Sequence, residues 1–153
     1  MIFYSSYVFL ASIYLIILTV QDCRTMYVDS KYNYIMVGIA ISMVSYAGRG
    51  ILYLLLIVAS VMFFNYFGKK AGAFGKGDFS AFNWLFMGLA LINPVALAWY
   101  VSALVVLGLV YNLTKRILAK RNDVIANKYP IPFYPVILGA WILTMPLLWF
   151  AFS

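Results

Sequence analysis

Six runs of apolar residues, at 2–21, 33–48, 51–67, 79–92, 95–113 and 132–152, occupy most of the 153-residue chain. Nothing else in the sequence restricts its folding so strongly. A helix crossing a bilayer needs about 20 mostly apolar residues, within a range of about 17–25. Most of the runs approach that length, while the second and fourth are short. With 66% hydrophobic residues and 10% charged, the chain lacks the polar side chains that a soluble domain of this size needs to cover its surface. No apolar–polar alternation persists, which argues against a membrane β-barrel. The expected fold is an all-α membrane protein, a bundle of about six transmembrane helices in one domain over residues 1–153. No separate soluble domain is expected. The first run lacks a basic leader and a small-residue cleavage site, and is read as a retained span.

The breaks between runs carry the punctuation. Asn93-Pro94 separates the fourth from the fifth and marks a tight reversal. Gly48-Arg49-Gly50 separates the second from the third. The remaining breaks are basic. The chain holds eleven Lys and Arg against four Asp, and neither Glu nor His. Ten of the eleven cations (Arg24, Lys31, Lys69, Lys70, Lys76, Lys115, Arg116, Lys120, Arg121 and Lys128) fall after the first, third and fifth runs. Only Arg49 lies on the other side. The positive-inside rule then places both termini outside and the basic loops in the cytoplasm of a multi-pass cell-membrane protein. That placement accounts for the charge without nucleic acid as a partner. The Lys115–Arg121 stretch is also suited to anionic lipid headgroups. One cysteine and no histidine leave little basis for a metal site or a cofactor, and none is expected.

All four acids, Asp22, Asp29, Asp78 and Asp123, belong to the basic side. Asp29 and Asp123 read as solvated loop charges. Asp22 closes the first run and Asp78 opens the fourth, so both carboxylates sit at the membrane boundary, where a charge is costly. Asp78 follows Gly75-Lys76-Gly77. The glycines permit a sharp turn into the fourth helix, and Asp78 is placed as an N-cap or first-turn residue. Two facing aspartates can share one proton. The ionised one then activates water while the protonated one serves the scissile carbonyl oxygen. That is aspartyl protease chemistry, with no metal and no histidine. The helix dipoles favour the proton on Asp22, at a helix C-terminus, and negative charge on Asp78, at an N-terminus. Lys76 reinforces that asymmetry and Arg24 opposes it.

Three stretches resemble one family, the type IV prepilin peptidases, which include the archaeal preflagellin peptidases. They are Val20-Gln21-Asp22-Cys23-Arg24-Thr25-Met26-Tyr27-Val28, Gly75-Lys76-Gly77-Asp78, and Ile131-Pro132-Phe133-Tyr134-Pro135-Val136-Ile137-Leu138-Gly139-Ala140. The resemblance implies a GxGD-type membrane aspartyl endopeptidase with Asp22 and Asp78 as the catalytic pair. Its substrate would be a prepilin- or preflagellin-like protein, cut at its short basic leader on the cytoplasmic membrane face. Gly75, Lys76, Gly77 and Arg24 would support the pair, and Pro132, Phe133 and Pro135 are candidates for contact with substrate. Val28-Asp29-Ser30 follows the first aspartate as in archaeal members, and Ser80 stands where bacterial members commonly have lysine. The larger bacterial members also N-methylate their product and carry a cysteine-rich insert. With one cysteine, this chain is expected to cleave without methylation.

Two rival readings use the same aspartates. A presenilin-like intramembrane protease would carry a Pro-Ala-Leu element, which the chain lacks. A small transporter or non-catalytic assembly subunit would use Asp22 and Asp78 as a proton or cation site. The Tyr and Trp residues are expected mostly at the interface and in contact with lipid. The three prolines at 130, 132 and 135 are expected to shape the start of the last helix.

Overall fold

The computed structural model describes residues 2–46, 55, 59, 62, 66, 76–123 and 131–152. Among them five helices and no strand occur: α1 (Ile2–Thr25), α2 (Ser30–Tyr46), α3 (Lys76–Ile92), α4 (Pro94–Arg121) and α5 (Tyr134–Phe152). These match the first, second, fourth, fifth and sixth apolar runs. The third run lies outside the described residues, apart from four helical positions, Leu55, Ala59, Met62 and Tyr66.

Helix α1 contains neither Gly nor Pro, so nothing interrupts it. It ends where Met26 takes a positive φ of 54°, and the Met26 amide reaches back to the Asp22 carbonyl at 2.8 Å. A left-handed residue just past the last turn is a common helix stop. Asp29 then starts α2: its Oδ1 accepts the Lys31 amide at 3.0 Å. Asp29 is therefore an N-cap rather than a merely solvated charge. The expected break at Asn93-Pro94 joins α3 to α4 through a single residue. Asn93 caps α4 by accepting the amides of Val95 and Ala96, at 2.9 and 3.4 Å. Pro94 takes the first helical position, where a missing N–H costs nothing.

Several boundaries move. The fifth run was expected to end at 113, yet α4 continues to Arg121. Residues 114–121 contain no breaker, and Lys120 and Arg121 in the last turn complement the helix dipole. The basic stretch expected as a loop is thus two further helical turns, closed by Asn122 and by Asp123 at φ 52°. Asp22 lies within the last turn of α1 rather than after it. Gly77 lies inside the first turn of α3, so no turn falls at that glycine, and Gly75 lies outside the described residues.

Pairs of contacts give the direction of packing. Trp141 on α5 donates to Ser12 on α1 at 3.0 Å, while Asp22, ten residues further along α1, meets Tyr134 at the start of α5. Trp99, early in α4, donates to the Leu143 carbonyl late in α5, while Tyr111, late in α4, donates to the Ile131 carbonyl just before α5. Both α1 and α4 therefore run antiparallel to α5. The end of α1 and the start of α5 consequently share one end of the bundle.

The core lies between α1, α2, α3 and α5, with one side of α4. It is strongly aromatic: Tyr7, Phe82, Trp84, Tyr100, Tyr134 and Trp141 are all essentially buried. Other Tyr and Trp residues, among them Tyr27, Tyr32, Tyr34, Tyr66, Trp99 and Trp149, are exposed, so part of the aromatic set lies in the core and part on the surface. Edge-to-face contacts link Tyr14 to Trp84, and Phe86 and Trp141 to Tyr100, the arrangement that ring quadrupoles favour. Two helices, Tyr4–Thr25 and Pro94–Arg121, are long and apolar enough to cross a membrane. In α4 most of that surface, including Val105, Val106, Leu109, Val110 and Leu113, faces outward.

Candidate active site

Asp22 is the more enclosed of the two candidate carboxylates, at 7% exposure. The α1 backbone carries it into the bundle on the buried stripe of Tyr7, Ala11, Leu15 and Leu18, since positions three or four apart share a helix face. Its Oδ2 accepts the backbone amide of Tyr134 at 2.9 Å. With Oδ2 engaged by a donor, Oδ1 is the oxygen left to carry or pass a proton. Asp78 is half-buried and sits in the first turn of α3.

The two carboxylates act on a common pair of neighbours. Both are electrostatic partners of the Tyr111 phenol, and both are partners of the Tyr134 phenol. Tyr111 comes from late α4 and Tyr134 from the start of α5. Asp22 and Asp78, 56 positions apart in the chain, thus lie within electrostatic reach of the same two phenols. Tyr111 is fixed on one side by its hydrogen bond to the Ile131 carbonyl, 2.9 Å, and on the other by the Phe133 ring, 5.1 Å between centroids.

The supporting residues are distributed less evenly. Arg24 is exposed in the last turn of α1. Lys76 and Gly77 open α3. Phe133 is buried, with its ring edge-to-face against both Phe82 and Tyr111. Pro132 is partly covered and Pro135 is exposed at the second position of α5, which leaves these two prolines as the accessible members of the expected substrate-contact set. Among the described residues no three Cys, Asp or Glu side chains gather as metal ligands would.

Three residues that the motifs did not single out connect to the site. Trp84 Nε1 donates to Asn33 Oδ1 at 2.9 Å, and Asn33 Nδ2 donates to the Tyr134 hydroxyl at 3.0 Å. Trp84 and Asn33 are both fully buried. The one signal for Asn33 in the sequence is an amide opening an otherwise apolar run. Trp84 looks like any core aromatic. Tyr134 lies within the recognised 131–140 stretch, but nothing in that stretch shows that its backbone amide serves Asp22.

Comparison with known proteins finds no matching family model, no matching curated protein and no matching solved structure.

Proposed function

We propose that the chain is a membrane aspartyl endopeptidase of the prepilin peptidase kind, with Asp22 and Asp78 as its catalytic pair. The observation that carries this reading is the buried Asp22 carboxylate held by the Tyr134 amide, with Asp78 within electrostatic reach of the same Tyr134. Two acids within reach of one residue of an apolar bundle, with one of them held by its backbone amide, suit a shared-proton mechanism better than a pair of unrelated helix caps.

In the proposed reaction Asp78 takes a proton from water as the water oxygen attacks the scissile carbonyl carbon. Asp22 gives its proton, from Oδ1, to the carbonyl oxygen. The tetrahedral species then collapses: the C–N bond breaks, Asp78 returns a proton to the leaving nitrogen, and Asp22 recovers one from a hydroxyl. Each carboxylate ends as it began. The dipoles support this division of labour, since Asp22 lies in a last turn and Asp78 in a first turn. The substrate must present an extended backbone, because a helical amide is shielded by its own hydrogen bonds.

The proposed setting is a multi-pass cell membrane, with six spans, both termini outside and the aspartates at the cytoplasmic face. Ten of eleven cations on one side support that orientation. The proposed substrate is a prepilin- or preflagellin-like protein cut at its basic leader, without methylation. The test is a gel-shift assay in membranes with a tagged prepilin-like substrate. Wild type is expected to shorten it and Asp78→Asn to leave it intact. Equal processing by both would remove Asp78 from the chemistry. Absence of processing across several substrates, with proton or cation flux abolished by the same substitution, would favour the transporter reading.

A further inference from the structure

Asn33 has no part in the reaction just described, yet it is completely buried in the bundle and bonded on both sides of its amide. Its Oδ1 accepts the indole N–H of Trp84 on α3 at 2.9 Å. Its Nδ2 donates to the hydroxyl of Tyr134 on α5 at 3.0 Å. Tyr134 in turn gives its backbone amide to Asp22 on α1 at 2.9 Å. The path therefore runs from α3, the helix that carries Asp78, through α2 and α5 to α1, the helix that carries Asp22. Trp84 stands six residues after Asp78 on the same rigid helix.

An amide is suited to this place. It offers an acceptor and a donor at once, without charge, and each meets a neighbour in the complementary role: an indole N–H, which can only donate, and a phenol oxygen, which here accepts. An apolar side chain of the same size would take these two hydrogen bonds away from buried groups, and a longer amide would overfill the space. Helices in an apolar bundle slide and rotate against one another at little cost, because lipid-like contacts are not directional. Directed hydrogen bonds at one level of the bundle remove that freedom.

Resting on the peptidase reading for its consequence in catalysis, we infer that Asn33 is a positioning residue: through Trp84 and Tyr134 it sets the placement of Asp78 relative to Asp22. It touches neither carboxylate and acts through the helices that carry them.

The test combines a magnetic-resonance readout with cleavage. Protein labelled with nitrogen-15 tyrosine reports the Tyr134 backbone amide, assigned by its loss in Tyr134→Phe. The resonance position of that amide proton reports its hydrogen bond to Asp22 Oδ2. Asp78→Asn is expected to displace that resonance at one fixed pH, because removing a nearby charge changes the field at the bond. The other titratable groups facing this pair are the Tyr111 and Tyr134 phenols, and Tyr111→Phe serves as the control that leaves both carboxylates in place. In Asn33→Leu the displacement caused by Asp78→Asn is expected to shrink by at least half. In the same variant kcat is expected to fall about 10- to 100-fold with KM unchanged, the signature of misplaced catalytic groups. Trp84→Phe, which removes only the indole N–H, is expected to give a smaller change in the same direction, and it keeps the test open if Asn33→Leu fails to fold. An undiminished displacement in these variants, with a lowered melting temperature alone, would overturn the positioning role while leaving the peptidase reading intact. A diminished displacement in a protein that cleaves no substrate would sustain the positioning role and sink the peptidase reading.

Discussion

The backbone amide of Tyr134 donates to Oδ2 of Asp22 at 2.9 Å across a sequence separation of 112 residues. The first turn of the last helix therefore holds the carboxylate that ends the first. That bond ties the end of α1 to the start of α5. It also orients the carboxyl group, with Oδ2 toward α5 and Oδ1 left for the proton.

Asp22→Asn retains an acceptor for the Tyr134 amide, because its carboxamide can present its oxygen to that N–H. Asp78→Asn likewise keeps the size of the first-turn side chain. Both variants are expected to insert and fold as the wild type does, judged by circular dichroism in detergent. Processing of a prepilin-like substrate is expected to fall about 10²- to 10⁴-fold in either, the usual range for loss of a general acid or base. The double variant should be little worse than each single one, because the two groups act as a unit. A double variant whose losses multiplied would contradict a shared proton.

Tyr134→Phe separates the two services of that residue. The amide to Asp22 survives, while the acceptor for Asn33 Nδ2 is lost. Stability is expected to fall by about 0.5–1.5 kcal/mol, the net worth of one hydrogen bond, and thermal unfolding in detergent would measure it. Processing is expected to persist, slowed more in kcat than in KM. Complete loss of cleavage with unchanged thermal stability would give the phenol a chemical role that this geometry does not assign.

Helices and site were legible in the sequence to different depths. Apolar runs locate helices well because burial and lipid contact both demand them, and Asn93-Pro94 announced its own break. Charge was a poorer guide: Lys115, Arg116, Lys120 and Arg121 read as a loop, but charged residues with good helix propensity extend a helix readily once it leaves an apolar environment. Gly77 read as a turn because glycine permits one, although the first turn of a helix also tolerates it. The aspartates stood out because carboxylates are rare in this chain. Asn33, Trp84 and Tyr134 did not, because their bonds span 51 and 101 residues. Periodicity describes one helix at a time and contains no information about which helix comes to lie beside it.

Cys23 offers a check on orientation that needs no substrate. It is the sole cysteine of the chain, it is exposed, and it adjoins Asp22. With both aspartates on the cytoplasmic face, a membrane-impermeant maleimide is expected to leave intact cells unlabelled and to label inside-out vesicles or permeabilised cells. Labelling of intact cells from outside would reverse the proposed topology and move the cleavage site to the wrong face for a cytoplasmic leader.

The other end of the bundle depends on one glycine. Tyr7 on α1 lies across Gly88 on α3, with its hydroxyl donating to the Trp84 carbonyl at 2.7 Å. A Cβ built at Gly88 would come within 2.2–2.3 Å of the Tyr7 hydroxyl and ring. The ring cannot swing aside cheaply, since it is buried and its hydroxyl is bonded. Gly88→Ala is therefore expected to destabilise the protein by about 1–3 kcal/mol, the usual cost of overpacking, despite the higher helix propensity of alanine. Tyr7→Ala is expected to be costly alone, about 3–5 kcal/mol if it behaves like other large aromatic truncations. In the double variant the new methyl group enters space that the ring has vacated, so the two losses should fall short of their sum by about 0.5–3 kcal/mol. Thermal unfolding of the four proteins in one detergent would measure the coupling. Strict additivity would mean that α1 and α3 do not approach at this pair of residues, and the hydrogen bond from Tyr7 to Trp84 would fall with it.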